Sequence, residues 1–276
     1  MMALVARLPL RAAHALGVAL AWIIYAVAPR WRARLRANLE QAGYRDARHR
    51  RAAVSEMGKM VAEAPKMWLR PAAELRALLR RVEGLERVRA ARAAGKGIVF
   101  FTPHYGCFEI TPLTVSAEMP LTALYRPQKK ARLQRMIVEG RERMNIALAP
   151  ASTAGVRQLL AALKRRESIG ILPDQVPGKG EGEWAEFFGR PAYTMTLAGK
   201  FVERENSESF LVMCERLPRG AGFAVRFLPL AAAQPGETPA RRINRAIEEA
   251  IREKPEQYMW SYNRYKRPEG APPPPS

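Results

Sequence analysis

From residue 97 onward, short runs of β-branched and aromatic residues alternate with segments of helical period, and that alternation leaves few folds open. The runs are Gly97–Phe101, Leu121–Tyr125 and residues 168–172. Helical patterns fall near residues 131–144 and 153–166, the second with Val156, Leu159, Leu160 and Leu163 on one face. Strand, helix, strand in this order makes βαβ units, hence an α/β fold with a largely parallel central sheet flanked by helices. Residues 210–215 and 223–228, joined by Leu-Pro-Arg-Gly-Ala-Gly, are predicted instead as an antiparallel hairpin toward the C-terminus. A last amphipathic helix is predicted over Pro239–Glu253, with Ile243, Ile247 and Ile251 in register. Residues 258–265 read as a closing segment, and the proline-rich 270–276 as disordered.

The N-terminal third follows a different pattern. Residues 16–28 (LGVALAWIIYAVA) carry no charge and are apolar all round. Extended back to Leu8 the stretch is long enough to cross a bilayer, at the expense of including Arg11 and His14. A buried helix, a cleaved signal peptide and an uncleaved membrane anchor all fit such a run. Pro29 directly after the small-residue site Ala26-Val-Ala28, and the arginines at 30, 32, 34 and 36, argue against cleavage and export. Trp22, Tyr25 and Trp31 suit a membrane interface, so the anchor is favoured, spanning or steeply inserted, with the following domain on the cytoplasmic side. The next stretch reads as two or three basic amphipathic helices broken at Gly43, Pro65 and Pro71. Met57, Met60, Val61, Met67, Trp68 and Leu69 form a stripe there that suits a core or a bilayer. The expected organisation is an anchor over residues 1–30, a basic helical segment over 31–95, an α/β domain over 96–267 and a tail over 268–276.

Charge narrows the partners. Lys and Arg number 46 against 26 Asp and Glu, a formal excess of +20. Such a field draws polyanions: nucleic acid, anionic lipid headgroups, phosphorylated substrates or an acidic carrier protein. No recognisable nucleic-acid module accompanies it, so no nucleic-acid partner is expected. Cys107 and Cys214 are the only cysteines, which indicates no disulfide framework and suits a reducing compartment. With three histidines, His14, His49 and His104, no metal site is expected.

Three predicted strand ends carry candidate chemistry. The first is followed by Pro103, which cannot donate to a ladder, and then by His104, with Glu109 five residues on. On a regular helix that spacing puts two side chains about 140° apart. A turn at Gly106 would let them meet, and a carboxylate on one ring nitrogen would leave the other as a base. The second strand ends in Tyr125-Arg126-Pro127, and the third in Pro173-Asp174-Gln175 before a glycine-rich basic loop, Pro177-Gly-Lys-Gly-Glu-Gly182. That loop is no Walker loop, because Ser or Thr does not follow its lysine. Polar groups converging at the C-terminal ends of strands are what a site in an open sheet requires.

Taken together, several of these motifs resemble the bacterial lipid A biosynthesis acyltransferases, the late lauroyl and myristoyl transferases of the lysophospholipid acyltransferase superfamily. The matching residues are the H-x4-E of His104 and Glu109, Tyr-Arg-Pro at 125–127, Leu-Pro-Asp-Gln at 172–175, Phe-Phe-Gly-x-Pro-Ala at 187–192 and Gln-Tyr-x-Trp-x-Tyr-Asn-Arg-Tyr-Lys at 257–266. The apolar N-terminal segment matches too, so the resemblance covers nearly the whole chain. It implies a bacterial inner-membrane enzyme that moves a fatty acyl group from acyl carrier protein to a hydroxyl of a Kdo-bearing lipid A precursor, an anionic glycolipid. It implies His104 as general base, Glu109 orienting its ring, Arg126 binding a substrate phosphate or developing charge, and Asp174 and Gln175 lining the site. No cofactor is implied, the acyl carrier protein thioester being a substrate. The same motifs would serve another acceptor, such as a lysophospholipid or an ornithine lipid. Cys107, between the two candidates, leaves an acyl-enzyme route open in which a thiolate is the nucleophile.

Overall fold

The run Gly97-Ile-Val-Phe-Phe101 has no polar side chain to offer water on either face, and it becomes a strand buried along its whole length. The computed structural model of the chain describes residues 2–178 and 180–275. Within them the order is α1 (Met2–Arg7), α2 (Leu10–Val27), α3 (Pro29–Gln41), α4 (Ala47–Leu69), α5 (Ala72–Arg76), β1 (Leu79–Glu83), α6 (Leu85–Ala93), β2 (Gly97–Phe101), α7 (Thr111–Ser116) and β3 (Leu121–Tyr125). There follow α8 (Ala131–Glu142), β4 (Ile146–Pro150), α9 (Thr153–Lys164), β5 (Ser168–Ile171), β6 (Gly182–Phe187), β7 (Arg190–Met195), α10 (Thr196–Val202), β8 (Ser207–Arg216), β9 (Phe223–Pro229) and α11 (Pro239–Glu253).

Seven strands form one sheet in the order β1-β9-β8-β2-β5-β3-β4. All its neighbours are parallel except β8 and β9, the expected hairpin, paired from Phe210↔Pro229 to Arg216↔Phe223. Side chains alternate between two cores, as the two-residue strand period requires. Val99, Phe101, Ile169, Ile171, Leu211 and Met213 face a core shared with α4, α9, α10 and α11. Ile98, Phe100, Phe210, Val212 and Leu121 face the other, with α6 and α7. The strands β2, β5 and β3 lie side by side and point the same way, so the segments that follow them emerge together at one end.

Several elements depart from the sequence reading. The basic helical segment contains a strand, β1, and β4 sits between two predicted helices. The Pro65 break is absent: α4 runs through it. A proline inside a helix lacks its N–H and crowds the carbonyl four residues back. Here Met57, Met60 and Met67, all buried in the two cores, hold the helix in place on both sides of it. The stretch after the glycine-rich loop forms a second antiparallel pair, β6 and β7, from Gly182↔Met195 to Phe187↔Arg190. The tail, expected to be disordered, docks instead. Ala271 is buried with Val176 and Tyr193, and Trp184 Nε1 donates to Pro272 O at 3.0 Å.

At the N-terminus α2 lays the stripe Leu10, Ala13, His14, Gly17 and Ala21 along α4. A Cβ on Gly17 would lie 2.2 Å from Gly58 O, and one on Gly58 equally close to Gly17 O, so only glycine lets the two backbones approach this far. A buried chain of charges fastens the pair to the sheet. His14 Nε2 meets Glu63 Oε1 at 2.6 Å, and Arg216 of β8 donates to both Glu63 oxygens at 2.6 and 2.7 Å. Arg216 also pairs with Glu56. Burial alone would raise the Glu63 carboxyl, but Arg216 and then His14 outweigh it and hold the group below the usual carboxylate range.

Candidate active site

The β2 ladder ends where Thr102 N donates to Ile171 O at 3.0 Å; Pro103 follows, and the chain turns. Gly106 takes φ +53°, and a Cβ there would lie 1.8 Å from Cys214 O, so the turn is pressed flat against β8. The C-terminal segment completes the loop from outside. Met259 N donates to His104 O, Gly106 N to Gln257 O, and Tyr105 bridges to Tyr258. His104 is thereby held by its backbone on two sides, with its ring at the sheet's C-terminal end.

Asp174, after β5, takes that ring. Its Oδ1 lies 2.8 Å from His104 Nδ1, and its Oδ2 accepts from His104 N at 2.9 Å. Asp174 is 2% exposed. Burial by itself would raise its carboxyl, but the imidazole, then the His104 N–H, and Arg264 at longer range hold it below its usual value. Arg264 is itself buried, donating to Tyr193 O, Thr194 Oγ1 and Asn244 Oδ1. With a carboxylate on Nδ1, the neutral ring keeps its proton there and leaves Nε2 a bare lone pair. Gln175 Nε2 lies 3.0 Å from that atom, a donor where the lone pair needs one.

Glu109 does not touch the ring as expected. The short 3-10 turn at Phe108–Ile110 aims its carboxylate toward α8, where Arg141 donates to Oε1 at 2.9 Å and to Oε2 at 3.2 Å. The physical reason is distance along the turn: Asp174 reaches His104 from the adjacent strand, whereas Glu109 has already curled past it. All the same, His104, Glu109, Arg126 and Gln175 line one cleft of about 320 Å³, together with Tyr125, Gln134 and Arg141. Asp174 stands behind His104, and Arg126 is exposed at the rim.

A second, apolar cavity of about 500 Å³ lies between α2 and α4. Trp68, Phe108 and Glu109 line both cavities, so the two share a wall beside the loop that carries His104. Phe108 also packs its ring 4.7 Å from that of His104. Cys107 faces neither. It is 3% exposed, and burial pushes its thiol well above the ordinary range, so it lacks the thiolate that a nucleophile needs.

Sequence reasoning missed Arg141 as the partner of Glu109, Trp68 as a shared wall and Arg264 behind Asp174. Of these only Arg264 lay within a quoted motif. Asp174 and Gln175 were placed in the site, but without their contacts to the ring.

The sequence model of the family described as bacterial lipid A biosynthesis acyltransferase matches residues 1–267. The chain is 27% identical over 218 residues to the lipid A biosynthesis palmitoleoyltransferase of Escherichia coli K12, covering 78% of this chain and 70% of that one. It is 28% identical over 197 residues to the lipid A biosynthesis lauroyltransferase of the same organism, covering 69% and 63%. A lipid A biosynthesis acyltransferase of Haemophilus influenzae is 26% identical over 181 residues, covering 64% and 56%.

Proposed function

Because this chain belongs to the bacterial lipid A biosynthesis acyltransferases, we propose that it moves a fatty acyl chain from acyl carrier protein to a hydroxyl of a Kdo-bearing lipid A precursor, at the cytoplasmic face of the inner membrane. The observation that carries the reading is His104, its Nδ1 on Asp174 and its Nε2 turned to Gln175, in a cleft that shares a wall with an apolar cavity. A glycolipid hydroxyl and a hydrocarbon chain need those two surroundings within reach of one base.

His104 Nε2 takes the proton of the acceptor hydroxyl as that oxygen attacks the thioester carbonyl carbon. Gln175 swings aside or donates to the arriving oxygen. Asp174 holds the ring and stabilises the imidazolium that forms, as the acid does in a Ser-His-Asp site. Collapse of the tetrahedral intermediate breaks the carbon–sulfur bond, and His104 returns its proton to the departing thiolate. The acceptor supplies the nucleophile, so no acyl-enzyme forms and Cys107 stays a spectator. Arg126 at the rim meets a phosphate of the acceptor. Arg141, steadied by Glu109, lines the cleft as a second cation for developing negative charge. The excess of 20 positive charges suits both the acidic carrier and the anionic acceptor.

Mass spectrometry of lipid A from cells with and without the gene tests the reading: the expected difference is the mass of one acyl group, absent again with His104→Ala. Unchanged lipid A alongside newly acylated lysophospholipid or ornithine lipid would move the acceptor elsewhere.

A further inference from the structure

We infer that α1 and α2 lie in one leaflet of the membrane as an in-plane slab, with both ends of α2 on the cytoplasmic side, and do not cross the bilayer. By length and composition α2 could cross: its 18 residues average a hydropathy of 1.6 and span about 27 Å, against a hydrocarbon core of about 30 Å. Its contacts forbid it. Lys66 Nζ donates to Ala6 O at 2.7 Å, His14 meets Glu63, Gly17 meets Gly58, and Trp22 Nε1 reaches Ser55 Oγ at 3.4 Å. Residue numbers rise along α2 as they fall along α4, so the two helices run antiparallel for the whole length, and α4 belongs to the sheet's core.

Both ends are fastened to the same body. At the start, Arg11 Nε donates to Arg219 O in the turn between β8 and β9. At the finish, Arg32 donates to Tyr25 O and Ala26 O, and Asn38 of α3 donates to Trp260 O and Tyr262 O. A spanning helix would have to release one end. It would also carry the His14–Glu63–Arg216 chain toward the hydrocarbon, where ionised groups are costly.

The occupant of the open face is lipid. Of the ten large apolar side chains exposed among the described residues, nine lie on α1, α2 and α4; only Val82 lies elsewhere. Arg30, Arg34 and Arg36, exposed on α3 just beyond the apolar face, are placed for anionic headgroups. Laid flat, the apolar cavity would open sideways into the leaflet, and a chain would reach it without passing through water. The inference rests on membrane association and not on acyl transfer, and its tests read no acyl transfer.

Arg7→Cys and Arg36→Cys, each in the full chain, are exposed to a membrane-impermeant maleimide in spheroplasts and in inverted vesicles, with the parent chain as blank. Both sites are expected to label only in inverted vesicles. Labelling of Arg7→Cys from the outer side, or only after detergent, overturns the inference. In a second experiment the purified chain is floated with phosphatidylethanolamine–phosphatidylglycerol vesicles. Ile23→Glu combined with Val27→Glu is expected to lower the bound fraction about tenfold with an unchanged circular dichroism spectrum. Undiminished flotation overturns it, as does a dimer that these substitutions split while flotation persists, since the face would then belong to a second copy.

Discussion

Replacing Asp174 by asparagine keeps shape and volume while changing one thing, the atom that faces His104 Nδ1. The asparagine oxygen can still accept the His104 N–H now bonded at 2.9 Å. Its NH2 then points at Nδ1, 2.8 Å away, and a donor there drives the ring proton to Nε2. The base loses its lone pair. The lost charge-assisted bond is worth about 1.5–3 kcal/mol, or roughly 10- to 150-fold in rate at about 1.4 kcal/mol per decade. Adding the wrong tautomer extends the loss toward about 10⁴-fold, the scale of the same change in a Ser-His-Asp site. For Asp174→Asn we expect kcat/KM to fall by about 10²–10⁴ with KM for carrier and acceptor nearly unchanged, measured with purified acyl carrier protein thioester and lipid A precursor. Nitrogen-15 NMR of the His104 ring should show the proton on Nδ1 in the parent and on Nε2 in the variant, while Glu109→Gln leaves it on Nδ1. An Asp174→Asn enzyme retaining more than about a tenth of its activity, against the scale expected for this substitution, or a parent ring protonated on Nε2, would refute the reasoning.

Asp174 is held below its usual 3.8 and stays charged above that pH, so its own protonation should remove no activity there; carbon-13 NMR showing the Asp174 carboxyl protonated above 3.8 would contradict this. Cys107→Ala should keep kcat/KM within about threefold, because burial holds the thiol in its protonated, weakly nucleophilic form. Gly106→Ala should lose at least about a hundredfold in activity, since a methyl at φ +53° and 1.8 Å from Cys214 O must shift the loop that carries His104. Glu63→Gln should lower unfolding stability by about 3–5 kcal/mol in detergent, the cost of breaking a buried pair. The parent should begin to lose stability as pH drops below about 4.5, because folded Glu63 binds its proton less readily than the unfolded chain does.

The sheet was legible because burial leaves a mark on composition. Residues 97–101 are apolar on both faces and residues 121–125 nearly so, and the structure places strands on those residues. The pattern at β1, Leu-Arg-Arg-Val-Glu, carries no such mark: an edge strand exposed on nearly every residue can be as basic as a helix. Likewise β6 and β7 stand apart from the main sheet, and their glycines and prolines read as loop. The site was legible as a set of residues and not as a set of bonds. Spacing along the chain favoured Glu109 for His104, being five residues away; adjacency of β2 and β5 in the sheet brought Asp174 from seventy residues away. Sequence distance does not record which strands become neighbours. Nor does it record that Arg141, on a helix after β3, closes on the carboxylate left over.

The hydrogen bonds from Met259 to His104 O and from Gly106 to Gln257 O have a bearing on synthesis as well as on geometry. Residues 257–264 leave the ribosome after every strand of the sheet has been made. Until they do, the histidine loop lacks its outer brace and the aspartate lacks Arg264. The histidine loop therefore takes its final form only once residues 257–264 are in place around it.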